Sequence, residues 1–439
     1  GFGFLSHQLS ECECYLNDTM FLFFHQGCHL DRAPTKARRN LRKQASHAGV
    51  SQKRASHLFE VVVDFLALTN TNPRHIIDAR YEIKKVRGPI MDIQTKLGHL
   101  LIVGFRGTEP DEQEVKALRQ CLDKDLIGGV LLFKHNIIDS NQLQRLNAFL
   151  RVPSINGHRP FIAIDQEGGR VLRLPWSEAF AEKNGGHFDR LQPAQVAARY
   201  TLADVETYYD AFAEWLHLHH FNLNFAPCAD LDCHSEASII SKHGRSFSGD
   251  PEIVVGFCEQ FIAAHRRLHI VPCLKHFPGH GFARGDTHLG MIDITQHWSR
   301  DELLPFAMLI RHKKVQLIMM SHLIHRGIDD TQPVGFSAKW VQEVLRGELG
   351  YQGAVVSDDL HMGAIYGSYG IEGAIAQSLQ AGVNLLVFSN NPAANLSAQG
   401  LTFDPDLPQK LHATMASLLR CGAITKDQVE KSWQATSFF

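Results

Sequence analysis

Long hydrophobic runs are missing from this chain of 439 residues: no stretch approaches the roughly 18 apolar residues that a membrane span requires. The nearest imitation of a secretory leader, Met20-Phe21-Leu22-Phe23-Phe24, has no basic residue before it and is ended too early by His25 and Gln26. An excess of charge of one sign is missing too. The formal net charge of −2 gives no electrostatic reason to expect nucleic acid or an anionic membrane as a partner. Nine cysteines form neither zinc-type CxxC pairs nor a dense disulfide framework, which suits a reducing compartment. With 21% charged and 44% hydrophobic residues, the composition is that of a soluble globular enzyme, and the expected location is the cytoplasm.

Two parts of the chain read differently. Residues 1–90 hold a basic cluster from Lys36 to Lys43 and one convincing apolar run, Phe59 to Leu68, which Asn70-Thr71-Asn72-Pro73 breaks. They are expected to be an N-terminal extension, either real and poorly ordered or an artefact of where translation was assumed to begin, with Met91 as the natural start. Residues 91–439 alternate short apolar runs with helix-length segments, the pattern of βα units around a parallel sheet. The runs start at Leu100, Gly129, Phe161, Phe221, Ile270, Leu317, Ala354 and Asn384, and Asp139-Ser140 caps a helix whose Leu143, Leu146, Phe149 and Leu150 share a face. Eight such units in one domain predict a single (β/α)8 TIM-type barrel. An open doubly wound sheet also alternates, but polar residues here follow many different strands, and no glycine-rich dinucleotide fingerprint follows the first.

The most informative stretch runs from Leu274 to Leu289. An apolar run feeds straight into Lys275-His276, so two polar side chains fall where a buried strand ends, the face on which barrel enzymes keep their sites. Pro278, Gly279, Gly281 and Gly285 then punctuate a loop carrying His280, Asp286 and His288. The third strand delivers Asp165-Gln166-Glu167-Gly168-Gly169-Arg170, where Asp165 can accept hydrogen bonds from adjacent sugar hydroxyls or pair with Arg170. Arg245, in Gly244-Arg245-Ser246-Phe247, can present a planar donor fork to a ligand or hold Asp232. The seventh strand ends in Ser357-Asp358-Asp359-Leu360, and alternation sends the two acids to opposite sides.

These strings resemble glycoside hydrolase family three, specifically its bacterial β-N-acetylglucosaminidases. The family's Lys-His-Phe-Pro-Gly-His-Gly…Asp-Ser-His signature is matched from Lys275 to His288 with Thr287 in place of Ser, a change that keeps the hydroxyl. The Asp-Gln-Glu-Gly-Gly-Arg, Gly-Arg-Ser-Phe and Ser-Asp-Asp-Leu motifs follow in the family's order, with Ser248-Gly249 where Gly-Ser is usual. The resemblance implies Asp358 as nucleophile and His288, oriented by Asp286, as acid/base. It also implies Asp165, Arg170, Arg245, Lys275, His276 and His322 as substrate-binding residues. It further implies hydrolysis of terminal β-linked N-acetylglucosamine from muropeptides of the N-acetylglucosamine–anhydro-muramic acid type, in cytoplasmic peptidoglycan recycling. No cofactor, metal, nucleic acid or membrane is expected, and the protein is expected to be a monomer. Relatives with other sugar preferences often carry a second domain that supplies the acid/base; the chain's end at Phe439 and its Asp286-Thr287-His288 loop agree with the single-domain form.

Retaining glycosidases usually use two carboxylates about 5–5.5 Å apart. An imidazole beside a carboxylate can do the work of the second, protonating the leaving oxygen and then accepting a proton from water. Three rivals remain at this stage. A metal-dependent barrel hydrolase would use His280, Asp286, His288 and Asp358 as ligands. A sugar-binding barrel without activity would keep Asp165, Arg245 and Lys275 but have no use for Asp358 or His288. A β-glucosidase-type member would share the same residues.

Overall fold

A computed structural model describes residues 91–174, 191–396 and 400–437. The extension read at residues 1–90 lies outside the described residues.

The first strands are short and wholly apolar: β1 (Leu101–Gly104), β2 (Gly129–Leu132) and β3 (Phe161–Ile164) are buried along their whole length. β4 (Leu223–Asn224) has two residues, β5 (Val271–Phe277) seven, and β6 (Ile292–Asp293) is a short outlier. β7 (Leu317–Met320), β8 (Leu323–Ile324), β9 (Ala354–Asp359) and β10 (Leu385–Phe388) follow. Eight of them close a parallel barrel in the order β1-β2-β3-β4-β5-β7-β9-β10, with β10 back on β1, while β6 and β8 pair beside it. All eight apolar runs read from the sequence are thus barrel strands. The open-sheet alternative is set aside by the β1–β10 pairing, Leu101 opposite Leu386 and Val103 opposite Phe388.

Side-chain alternation sorts the strand residues into two cores. Ile102, Leu131, Phe161, Ala163, Leu223, Phe225, Cys273, Met319, Val356 and Val387 fill the barrel. Leu101, Val103, Val130, Leu132, Ile162 and Ile164 point outward under the helices. The crossover helices include Gln113–Asp123, Ser140–Leu150, Val205–Leu218, Pro251–Arg267 and Gly363–Ala381. Asp139 caps the second of these by accepting the Gln142 N–H at 2.8 Å, as its position predicts. No helix of the described residues is long and apolar enough to cross a membrane.

Two irregularities matter for the site. Leu274 and Phe277 of β5 stand opposite Ile318 and Met320 of β7, so three steps on one strand match two on its neighbour. The same happens where Val356 and Asp359 of β9 face Leu385 and Val387 of β10. An extra residue in a strand resets the alternation after it. Consecutive side chains can then face the same way, and this occurs at Lys275-His276 and at Asp358-Asp359.

Candidate active site

The C-terminal ends of the strands open into one cavity of about 660 Å³. Its floor is the top of the barrel interior, Leu131, Phe225, Met319 and Val387. Its walls carry Asp165, Glu167, Arg245, Lys275, His276, His288, Asp358 and Asp359. Of the nine site residues expected from the sequence, six therefore line it directly: Asp165, Arg245, Lys275, His276, His288 and Asp358. Asp286 acts through His288.

The wall built by β3, β4 and β5 is a network of buried charges. Glu167 receives Arg245 Nε at 2.9 Å and Nη2 at 2.7 Å, and Lys275 Nζ lies 2.7 Å from the same carboxylate. Lys275 also reaches Asp165 Oδ1 at 2.9 Å. Burial pushes the Glu167 carboxyl up, but Arg245 and Lys275 more than offset that and hold it well below the usual range. Asp165 therefore pairs with Lys275 rather than with Arg170, and Arg245 holds Glu167 rather than Asp232. Behind them, Asp230 accepts from His276 Nδ1 at 2.7 Å and from the backbone N–H groups of His276 and His280 at 3.1 and 2.8 Å. With Nδ1–H donated to Asp230, His276 Nε2 is left to accept from Arg245 Nη2 at 3.3 Å. Burial also pushes Asp230 up, but the His276 imidazole beside it and His280 hold it well below the carboxylate range.

Arg170 and His322 sit elsewhere than expected. Gly168 and Gly169 have positive φ (114° and 56°) and turn the chain after Glu167, with Val171 N–H returning to Gly168 O at 3.1 Å. Arg170 falls at the exposed tip of that turn and does not line the cavity. Arg173 lines it instead, placed by Gln166 Oε1, which accepts the Arg173 N–H at 2.7 Å. Asn224 fixes this loop by exchanging two 3.0 Å bonds with the Gln166 backbone. His322 is buried beneath the acids, its Nε2 3.0 Å from the Asp359 carbonyl, and supports them from below rather than lining the substrate space. Spacing within the Gly-Gly turn was the only sequence signal for Arg173. Nothing local in sequence marked Glu167 or Asp230 as hubs.

Asp358 and Asp359 both face the cavity, contrary to the opposite-sides expectation, because of the extra residue in β9. Their environments differ. Burial pushes Asp358 up, but His322, His276 and the Asp359 N–H at 2.8 Å bring it below the ordinary value, so it is ionised. Asp359, pushed up by burial, has Oδ1 engaged by the N–H groups of Ser389 at 2.8 Å and His361 at 3.1 Å. The acid with a lowered value is free to act as a nucleophile, whereas its neighbour is a structural anchor.

Another wall is a loop. Thr287 O accepts from Ala364, His288 O from Leu396 and Ala237 O from Gly285, so segments after β9, β10 and β4 suspend it over the strand ends. His288 Nδ1 lies 2.6 Å from Asp286 Oδ1, which also accepts the His288 N–H at 2.9 Å. This i, i+2 pair leaves both side chains partly open to solvent, 40% and 36% exposed. Burial raises Asp286, and the His288 hydrogen bonds lower it further than that.

Among the described residues, one group has metal-ligand spacing: Cys228, Asp230 and His276, with ligand atoms within 4.8 Å of one another. These atoms already bond each other, Cys228 Sγ to Asp230 at 3.1 Å, and the Arg245 guanidinium abuts the imidazole, so the donor set fits a hydrogen-bonded triad better than a cation. His280, Asp286, His288 and Asp358 do not reach such spacing.

A (β/α)8 barrel with an ionised acid at one strand end and a carboxylate-backed imidazole lining the same cavity has the makings of a hydrolase of the barrel class. Comparison with known proteins says which. The profile described as the Glycosyl hydrolase family 3 N terminal domain matches residues 92–434. A Tolumonas auensis protein named beta-hexosaminidase is 37% identical over 302 residues, 67% of this chain and 83% of the relative. A Xanthomonas oryzae pv. oryzae protein of the same name is 32% identical over 292 residues, 66% and 83% of the two chains. Among solved structures, a family 3 beta-N-acetylglucosaminidase from a Paenibacillus species superposes with a TM-score of 0.66 at 24% identity. It covers 79% of this chain, which spans only 61% of that one. A beta-N-acetylhexosaminidase from Beutenbergia cavernae gives 0.65 at 21% identity, covering 79% and 97%. At these identities the structural likeness speaks for the fold. The chain belongs to glycosyl hydrolase family 3, and with it to the glycoside hydrolases.

Proposed function

We propose that the protein is a retaining exo-β-N-acetylglucosaminidase that removes terminal β-linked N-acetylglucosamine from muropeptides in the cytoplasm. The observation that carries this reading is that Asp358 and His288, the latter bonded to Asp286, line one cavity at the strand ends. Relatives named beta-hexosaminidase support the sugar.

In the first step a carboxylate oxygen of Asp358 attacks the anomeric carbon, the glycosidic bond breaks, and protonated His288 passes its proton to the departing oxygen. In the second, neutral His288 takes a proton from water, whose oxygen displaces Asp358 from the anomeric carbon. Asp286 stabilises the imidazolium that alternates with the neutral ring and aims it by the Nδ1 bond. On this reading Asp165, Lys275, Arg245, His276 and Arg173, all of which line the cavity, bind the sugar hydroxyls. No step of this cycle calls for a metal.

The test is a pair of aryl β-glycosides, of N-acetylglucosamine and of glucose, combined with a 2-deoxy-2-fluoro analogue. Selective cleavage of the first, and label on Asp358 by peptide mapping, are expected. Preference for glucose would move the protein to the β-glucosidase type, and label on Asp359 or Glu167 would overturn the nucleophile.

A further inference from the structure

We propose that Glu302 is a positioning residue for the reaction: it holds the turn Gly279–Phe282 and through it sets where His280 and the Asp286–His288 pair sit over the cavity. The proposal rests on the reading of His288 as the acid/base.

Glu302 lies in the turn of 3-10 helix Arg300–Leu303, well after the loop it touches, and only 1% of it is exposed. Its Oε2 accepts the N–H of Gly281 at 2.7 Å and that of Phe282 at 3.4 Å. The contact is close enough to dictate sequence: Gly279 has φ +114°, and a Cβ there would overlap the Glu302 side chain. Tension at this turn is felt at both ends of the loop. Its first residues carry His280, whose backbone N–H is held by Asp230, and six residues further on comes Asp286. One carboxyl thus joins the outer helical layer to the loop that closes the site.

The other oxygen, Oε1, is buried with no hydrogen-bond partner. A carboxylate in that position would leave a full charge undissolved, whereas a carboxylic acid leaves only a hydroxyl. The groups facing it agree. Asp230, in the loop after β4, is the charged group that acts on it and is itself paired with His276; His280, the neighbour of Gly281 in the chain, is kept neutral by burial, which lowers it to about 4; Arg300, on its own helix, is turned to Glu348. None of them supplies a positive charge to Glu302. Burial, then Asp230, raises its carboxyl to about 8. Near neutral pH the turn is therefore gripped by an uncharged acid; above about 8 the carboxylate accepts the two N–H bonds more strongly but meets Asp230 with a like charge, and the balance of the two moves the turn.

The experiment uses the full chain, with Glu302→Gln and Glu302→Ala, kcat and KM across pH 6–10, and amide exchange at Gly281 and Phe282. Wild type is expected to lose about tenfold in kcat above pH 8, and the protection factors of those two amides, exchange corrected for its intrinsic rise with pH, should change over the same range but stay constant in Glu302→Gln. Glu302→Gln, neutral and of the same shape, should keep the neutral-pH rate and lose the part of the alkaline fall that Glu302 causes, leaving the decline that deprotonation of the acid/base itself produces. Glu302→Ala should lower kcat about tenfold at every pH with KM little changed. The exchange readout needs no substrate, so it reports on the grip even if His288 proves not to be the acid/base. An alkaline limb in Glu302→Gln identical to that of wild type, or wild-type protection factors at the two amides that do not change across pH 6–10, overturns the proposal.

Discussion

The two walls of the cavity are built on opposite principles. On the β3–β5 side, Glu167, Lys275 and Arg245 are 1%, 4% and 14% exposed and every charge meets its counter-charge within 3 Å. On the loop side, His288 and Asp286 are 40% and 36% exposed and depend on each other alone. A wall that must recognise sugar hydroxyls gains from fixed charges in a medium of low polarity, where geometry cannot relax. A group that must give and then take a proton needs contact with water and a ring free to change charge, which deep burial would forbid. On the proposed mechanism the contrast separates binding from proton transfer, and it can be broken or sharpened by variants on either side.

The largest effect is expected at the centre of the contrast. Asp358→Ala should abolish turnover, a loss of about 10⁴-fold or more in kcat, since no covalent intermediate can form. Retention of even a hundredth of the wild-type rate in a contamination-controlled assay would remove Asp358 from the mechanism.

Next comes the loop. His288→Ala should lower cleavage of a natural disaccharide by roughly 10²–10⁴-fold while the first step on a nitrophenyl glycoside survives, because nitrophenolate departs without a proton. Azide should then speed turnover by attacking the trapped intermediate. The melting temperature should scarcely move, since exposed pairs contribute only about 0–1 kcal/mol. Equal losses on both substrates would leave His288 as a ligand contact.

Glu167→Ala is expected to do the reverse to stability, costing about 3–5 kcal/mol by stranding Arg245 and Lys275 as buried unpaired cations. Urea unfolding measures it directly. A change below about 1 kcal/mol would mean that water enters the network and that the two walls are not so different.

A smaller effect is expected in acid. Glu167 and Asp230 have folded-state values below their ordinary 4.5 and 3.8, so the stability they contribute is present above those values and fades as pH falls through them. His280, His158 and His361, lowered from 6.5 to about 4 by burial, add a loss that begins near 6.5. Melting temperature should therefore decline from about pH 6 and more steeply below 4.5, and Glu167→Gln should flatten the lower part of that slope. A melting temperature constant down to pH 3 would contradict the buried-charge account.

Removing residues 1–90 should change least. A chain starting at Met91 is expected to fold and keep full activity, since all eight barrel strands lie after it.

How much of this was legible in the sequence follows from the range of each signal. Apolar runs report on burial a few residues at a time, so all eight strands could be read, and so could the Asp139 cap, which is a bond three residues long. The same local rule gave Asp286 and His288, whose bond spans two residues, and placed Asp165, Lys275 and Asp358 at strand ends. Tertiary structure alone decided the rest. Arg245 meets Glu167 across 78 residues and Lys275 meets Asp165 across 110, distances over which no periodicity carries information. Strict alternation put Asp359 on the wrong side of β9 because the extra residue there exists only in the register with β10. The Asp-Gln-Glu-Gly-Gly-Arg motif pointed to Arg170, whereas Arg173 lines the cavity, because the path of the turn depends on the Asn224 clamp from the next strand. The sequence determined which residues reach the mouth of the barrel, since burial of a strand is a local property of its side chains. Closure of the sheet decided which of them face one another, since that is set by registers between strands far apart in the chain.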